Sequence, residues 1–239
     1  MALTAIGAGA INTMVGGGTF IMLPILAVLG VDPKVANATN RLAVCFQAVA
    51  ASATLHRQGV LSPQTAILPL AIAVIGGVCG ALLNGVLSDE AFRQWVGWLL
   101  ILGLPLLFLK RPDPLRAVQK PKTPAVIGLF VLGVYGGFLG AGVGVLILLV
   151  LPPLLRADLV RTVAIKVLIV LAFSFSSGVV YIAQGMVDWK LLVPLIGGYM
   201  IGGIIGARLT VRVGDRWMRL IVALVAAGLA ITMLVRSGG

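Results

Sequence analysis

Apolar runs separated by short polar clusters extend almost from end to end of this chain, and nothing between them is long enough to fold as a water-soluble domain. The runs cover residues 3–31, 35–56, 64–88, 91–109, 124–155, 162–184, 189–211 and 216–235. With 60% hydrophobic and only 10% charged residues among 239, the chain is far more apolar than a soluble domain of its size. The pattern is that of an all-α polytopic membrane protein, because a segment crossing lipid must satisfy its backbone hydrogen bonds internally.

The formal net charge of +11 comes from 18 Lys and Arg against 7 Asp and Glu. These basic residues stand mostly at the ends of runs rather than along one solvated face. That distribution fits loop charges that set topology and argues against a nucleic-acid partner. Cys45 and Cys79 fall inside apolar runs, where a free thiol behaves as a small buried hydrophobe. The opening MALTAIGAGA lacks a basic n-region and its apolar run continues past any cleavage point, so no removable signal peptide is expected. The chain opens almost inside its first run, which leaves room for an upstream segment. The sequon Asn37-Ala38-Thr39 reads as chance.

The two halves resemble each other. "QGV" at 58–60 returns as "QGM" at 184–186, "GGVCGA" at 76–81 as "GGIIGA" at 202–207, and Asp89 with Arg93 as Asp215 with Arg219, all at an offset of 126. Allowing a two-residue gap, Gly16-Gly17-Gly18 aligns near Gly140, Gly142 and Gly144. The pattern predicts a duplicated four-segment unit: a first transmembrane repeat at 1–110, a basic Pro-rich linker at 111–123 and a second repeat at 124–239, all in one membrane domain.

Runs 3–31 and 124–155 are too long. As continuous helices they would span about 43 and 48 Å, against a hydrocarbon core of about 30 Å. Their glycine clusters fall near the midpoints, and each glycine costs about 1 kcal/mol in a helix interior. A Gly-broken first helix in each repeat, re-entrant or kinked, is therefore expected, and matching broken segments point to a transport site at the midplane. Gly76, Gly80, Gly202 and Gly206 fit close helix packing instead.

Charge placement favours the re-entrant form. If all eight runs cross, the Lys and Arg outside the membrane divide evenly and no orientation emerges. If the two long runs enter and return on one side, Lys34, Arg93, Lys190 and Arg236 gather on one face and the remaining twelve on the other. The crowded face would be cytoplasmic, with both termini outside and the halves inverted. A tilted, kinked crossing is the alternative that absorbs the extra length.

Arg41 and Lys166 lie inside runs 2 and 6, at nearly corresponding positions. Charges at that depth are expensive, so they either snorkel to the interface or face an interior cavity; the duplication favours the cavity. Around Arg41 stand Asn37, Thr39 and Asn40, with Asn12, Thr13 and Thr19 on the first run; the second half supplies Thr162, Ser174, Ser176, Ser177 and Tyr181. Many of these hydroxyls are expected to bond back to their own helix. All seven acids (Asp32, Asp89, Glu90, Asp113, Asp158, Asp188, Asp215) sit at run ends or in the linker, leaving no carboxylate for a cation. Two basic residues, glycine N–H groups and half-helix N-termini together predict an anion as passenger.

"GAINTMVGGGTFIMLPIL", "GVDPKVANATNRLAV", the "QG" turn before a Pro-containing run and "GGFLGAGVGVLILLVLPPLL" resemble the TauE/SafE sulfite exporter family over nearly the whole chain. The resemblance implies a bacterial inner-membrane carrier of sulfur oxoanions such as sulfite and organosulfonates, some members carrying other organic anions. By position it directs attention to the "GGGTF" turn, the "ATNR" start of run 2 and the "GAGVG" turn. With the buried polar residues, the candidate substrate-binding set is Asn12, Gly16, Gly17, Gly18, Thr19, Thr39, Asn40, Arg41, Gly140, Gly142, Gly144 and Lys166. The second copy departs from the pattern, reading "TVAIK" without the Thr-Asn pair, which breaks the symmetry of the two halves.

Three function classes remain to be weighed. A secondary transporter moving small anions by alternating access of two repeats fits best; an anion channel, or a carrier of carboxylates, is built of the same parts. An enzyme fits poorly, since the single His, His56, ends run 2 as an interfacial side chain, and no metal cluster or nucleophile with a base is visible. No Walker A motif points to ATP, and no cofactor is implied. A thiosulfate path would need Cys45 and Cys79 to line one cavity. The partners expected are a small anion and the lipid bilayer, with a homodimer as the candidate assembly.

Overall fold

A computed structural model of the chain describes residues 1–60, 67–83, 123–155 and 158–237. The run at 91–109, the linker through residue 122, and Asp89, Glu90, Arg93 and Asp113 lie outside the described residues. Among the described residues the secondary structure is entirely helical: α1 Ala2–Met14, α2 Gly18–Val28, α3 Pro33–Arg57, α4 Ile67–Leu82, α5 Thr123–Phe138, α6 Val143–Leu155, α7 Leu159–Ala183 and α8 Trp189–Ser237. The long α8 is interrupted at Gly214, whose φ of 74° is not helical.

Helices α3 and α7 show how local chemistry sets the boundaries. The Asp32 carboxylate accepts from the backbone N–H groups of Lys34 and Val35, with Pro33 opening the helix, and Asp158 accepts from Arg161 at the start of α7. Both helices are 25 residues long and end at a Gln, followed by Gly59 or Gly185 in the left-handed region (φ 72° and 69°). These landmarks are all 126 residues apart. In that register Lys166 matches Asn40 rather than Arg41, so the two cations stand one residue, about 100° of helix, out of correspondence.

Small residues bring the helices together. α1 packs on α8, α4 on α5, α3 on both α7 and α8, and α4 on α7. A Cβ at Gly76 would lie 2.8 Å from the Phe130 carbonyl oxygen, and one at Gly9 would lie 2.9 Å from that of Tyr199. Gly80 meets Val134, while Gly202 and Gly206 meet Ile6 and Ala10, so these four glycines sit at helix crossings. Correspondence extends to detail: a Cβ at Gly77 would stand 2.8 Å from the Phe173 backbone, and one at Gly203 2.8 Å from the Gln47 backbone. Those two contacts are again related by 126 residues.

The surface is more apolar, and the interior holds more charge, than in a water-soluble protein. Leu3 and Val193 are 84% and 72% exposed, whereas Arg41 and Lys166 are 1% exposed. Beside an apolar core, many large apolar side chains also face outward while two basic side chains and several amides and hydroxyls lie inside, an arrangement that lipid rewards and water penalises. Leu159–Ala183 and Trp189–Gly214 are long and apolar enough to cross a membrane.

Candidate functional site

The chain reverses between α1 and α2. α1 ends at Met14, Gly16 takes a φ of 104°, and α2 begins at Gly18 with no side-chain cap. A Cβ at Gly18 would overlap the Ala8 carbonyl oxygen and approach the Asn12 Cβ to 2.7 Å. In an uninterrupted helix Ala8 and Gly18 would be about 15 Å apart along the axis. The start of α2 therefore lies back against α1. A second interruption separates α5 from α6, where Gly140 and Gly142 have φ of 58° and 77° and the Tyr135 hydroxyl donates to the Ala141 carbonyl.

These two interruptions touch. A Cβ on Gly16 would overlap the Gly144 backbone, and one on Gly144 would meet Gly16 and the Val15 carbonyl. A Cβ at Gly142 would come within 2.7 Å of the Phe20 ring. The C-terminal ends of α1 and α5 and the N-terminal ends of α2 and α6 thus converge on one small region. Only residues without a side chain allow backbones this close.

A helix C-terminus exposes unsatisfied carbonyls and the negative end of the helix dipole. Here buried donors meet them. Arg41, on α3, donates from Nη2 to the Leu139 carbonyl, and its guanidinium lies 5.6 Å from the centroid of the Phe173 ring. One turn earlier, Asn37 Nδ2 donates to the Phe138 carbonyl at 2.9 Å. The Tyr181 hydroxyl donates to the carbonyls of Gly137 and Phe138 at 2.8 and 3.0 Å. On the other side, Lys166 Nζ donates to the carbonyls of Asn12 (3.0 Å) and Thr13 (2.5 Å) at the end of α1.

Amides tie the remaining polar residues into the same region. Asn12 Nδ2 donates to Gln47 Oε1 at 2.9 Å, and Gln47 Nε2 donates to Thr13 Oγ1 at 2.8 Å. Asn40 donates to Thr19 at 3.3 Å and accepts from the Tyr199 hydroxyl at 2.6 Å. Thr39 points elsewhere, accepting from the Asp188 backbone N–H at the start of α8. Thr162, Ser176 and Ser177 bond back to carbonyls of their own helix or its cap.

So Asn12, Gly16, Gly18, Thr19, Asn40, Arg41, Gly140, Gly142, Gly144 and Lys166 line or support the converging ends, and Gly17 caps α2. Sequence reasoning passed over Gln47, Tyr135 and Tyr199, and left Asn37 and Tyr181 outside the candidate set. The signal for Asn37 and Gln47 was present: an amide within a lipid-crossing helix needs a partner. Asp32, Asp158 and Asp188 cap helix starts, and among the described residues neither Arg41 nor Lys166 is in an ion pair. Nor do the described residues contain a cluster of three His, Cys, Asp or Glu able to hold a metal.

The family model described as "Sulfite exporter TauE/SafE" matches residues 1–233. The chain belongs to the TauE/SafE family. Curated relatives of this TauE/SafE protein agree. The "Probable membrane transporter protein YfcA" of Escherichia coli K12 is 27% identical over 97% of this chain and 87% of its own length. A "Probable membrane transporter protein" of Haemophilus influenzae is 26% identical over 95% of this chain and 91% of its own. "Probable membrane transporter protein ORF9" of a Sinorhizobium species is 25% identical over 95% and 88%. No solved structure matches the chain significantly. Membership of the TauE/SafE family, with these relatives, places the chain among membrane transporters.

Proposed function

We propose that this protein is a secondary transporter of small anions, foremost sulfur oxoanions such as sulfite and organosulfonates, in the bacterial inner (plasma) membrane. Transport proceeds by alternating access of two inverted repeats, 1–110 and 124–239, around a midplane site, with both termini extracytoplasmic. The first helix of each repeat, α1–α2 and α5–α6, is the Gly-broken re-entrant element. The 126-residue correspondence of caps, helix ends and glycine contacts supports the repeat reading.

The observation that carries the proposal is the contact of Gly16 with Gly144, with the buried Arg41 and Lys166 reaching the helix ends beside it. Helix dipoles supply about half a charge at each end, negative at the ends of α1 and α5 and positive at the starts of α2 and α6. These four partial charges nearly cancel. Two basic side chains remain, neither in an ion pair among the described residues. An anion is the ligand that lowers the energy of such a site. The substrate-binding residues are Asn12, Gly16, Gly17, Gly18, Thr19, Asn40, Arg41, Gly140, Gly142, Gly144 and Lys166, with Thr39 anchoring the start of α8.

A thermal-shift screen of the purified protein against sulfite, sulfate, ethanesulfonate and acetate tests this, because a ligand stabilises the state it binds: about 2.7 kcal/mol at a hundredfold excess over Kd. A sulfur oxoanion should give the largest shift. Stabilisation by acetate alone would move the substrate class to carboxylates, and no response to any anion would sink the proposal. Flux in proteoliposomes that fails to saturate would indicate a channel.

A further inference from the structure

Three buried side-chain atoms lack a hydrogen-bond partner among the described residues: Asn37 Oδ1, Arg41 Nε and Ser174 Oγ. Their residues are 3%, 1% and 0% exposed. Unpaired polar atoms this deep destabilise a protein unless something pairs with them. The first two belong together. Asn37 and Arg41 stand one helical turn apart on α3, a spacing that puts their Cβ atoms about 5–6 Å from each other on one face.

Asn37 is already held by its other polar atom, and Arg41 by one of its two Nη nitrogens. Asn37 Nδ2 donates to the Phe138 carbonyl and Arg41 Nη2 to the carbonyl of the next residue, Leu139. Those anchors fix what is left over. A carbonyl only accepts, so the Asn37 amide must present nitrogen to Phe138 and leave Oδ1 as the free atom; flipping the amide would set oxygen against oxygen. The guanidinium uses Nη2 on Leu139, and its Nε–H is the buried donor without a partner. One unpaired acceptor and one unpaired donor therefore flank the end of α5. Ser174 follows Phe173, whose ring lies beside the guanidinium, and its hydroxyl can donate or accept, so it adapts to either polarity.

We infer that Asn37 and Arg41 form a two-point subsite for a small oxyanion that carries its own O–H or N–H donor: the anionic oxygen accepts from Arg41 Nε while the ligand's donor is taken by Asn37 Oδ1. The inference rests on the anion-transport reading and narrows its substrate class. A fully deprotonated oxyanion without a donor would face the Asn37 oxygen with a lone pair, which is repulsive and leaves that oxygen unpaired. A site built to accept such a hydrogen bond discriminates strongly against an analogue lacking it.

The test compares two ligands of one shape, ethanesulfonate and 2-hydroxyethanesulfonate, by calorimetry on the purified wild-type protein. The hydroxylated sulfonate should bind about tenfold tighter. In Asn37→Leu that preference should fall to about unity. Equal affinity of the two ligands for the wild type would overturn the inference and leave the anion-transport reading standing. Binding of neither, in protein that also ignores sulfite, would overturn both. If Asn37→Leu does not fold, the wild-type pair decides alone.

Discussion

Lys166 on α7 donates to the carbonyl of Thr13 at the end of α1, just as Arg41 on α3 donates to that of Leu139 beyond the end of α5. Each buried cation thus holds a helix end contributed by the other half of the chain. An ammonium or guanidinium in a low-dielectric interior needs compensation, and a helix C-terminus offers it without a carboxylate. The arrangement leaves both charges available. Under the proposed anion transport, an approaching anion would compete with carbonyls, which bear partial charge, rather than with a salt bridge.

Removing either charge should therefore remove the anion response while leaving a folded protein. In Arg41→Gln and Lys166→Gln, an amide keeps one donor for the carbonyls but contributes no net charge. A hydrogen bond to a charged group is worth about 1.5–3 kcal/mol, so anion affinity should fall at least tenfold in each variant. The shift in Tm with added sulfite reads this out. Wild-type shifts in both variants would mean that the two cations serve only the helix ends.

The touching glycines give a sharper structural prediction. Gly16→Ala places a Cβ inside the Gly144 backbone and asks a non-glycine residue to hold a φ of 104°. The left-handed conformation costs about 1–2 kcal/mol, and forced separation of packed backbones adds roughly 1–3 kcal/mol. Gly144→Ala should suffer the second penalty alone. Gly7, in α1, has nothing within 4 Å of its would-be Cβ, so Gly7→Ala should be neutral or gain up to about 1 kcal/mol. Detergent-solubilised unfolding curves that fail to separate Gly16→Ala from Gly7→Ala would refute the contact.

The all-helical, lipid-facing character of the described residues was readable because it depends on local pattern: apolar runs, Asp32 and Asp158 at helix starts, and small residues such as Gly76 and Gly202 at helix crossings. Glycine clusters also advertise themselves, since the penalty they impose on a helix is local. The direction the chain takes after Gly16 does not. It is set by Gly18 lying against Ala8, a contact that depends on how α2 packs against the rest of the protein. The partners of the buried polar residues were equally hidden. Lys166 and Asn12 are 154 residues apart, and no periodicity reveals that one bonds the other's carbonyl. Gln47 escaped notice because it sits alone in an apolar stretch, its partners Asn12 and Thr13 lying on another helix.

Cysteine chemistry should prove dispensable. Cys45 is buried on α3, which packs against α7 and α8, whereas the half-buried Cys79 is on α4, which packs against α5 and α7. Nothing in the hydrogen-bonded cluster uses either thiol. The double variant Cys45→Ser/Cys79→Ser should transport like the wild type, at a stability loss of about 1 kcal/mol, because a helical Ser bonds back to the preceding turn. Loss of transport in a variant that still folds would revive a thiol-lined path.

Gln47 carries the last prediction. Its amide accepts from Asn12 and donates to Thr13, so it joins α3 to the end of α1 at the residues whose carbonyls Lys166 holds. Gln47→Leu keeps the volume but leaves two buried polar groups unpaired, at about 1–3 kcal/mol each. Gln47→Glu keeps the shape and the acceptor, but replaces the donor to Thr13 with a second oxygen and adds a negative charge near Lys166. If the cluster's positive potential binds the substrate, Gln47→Glu should weaken anion affinity beyond Gln47→Leu even where it unfolds less readily. Stability and anion affinity falling in parallel across both variants would show that Gln47 acts on the anion only through the fold.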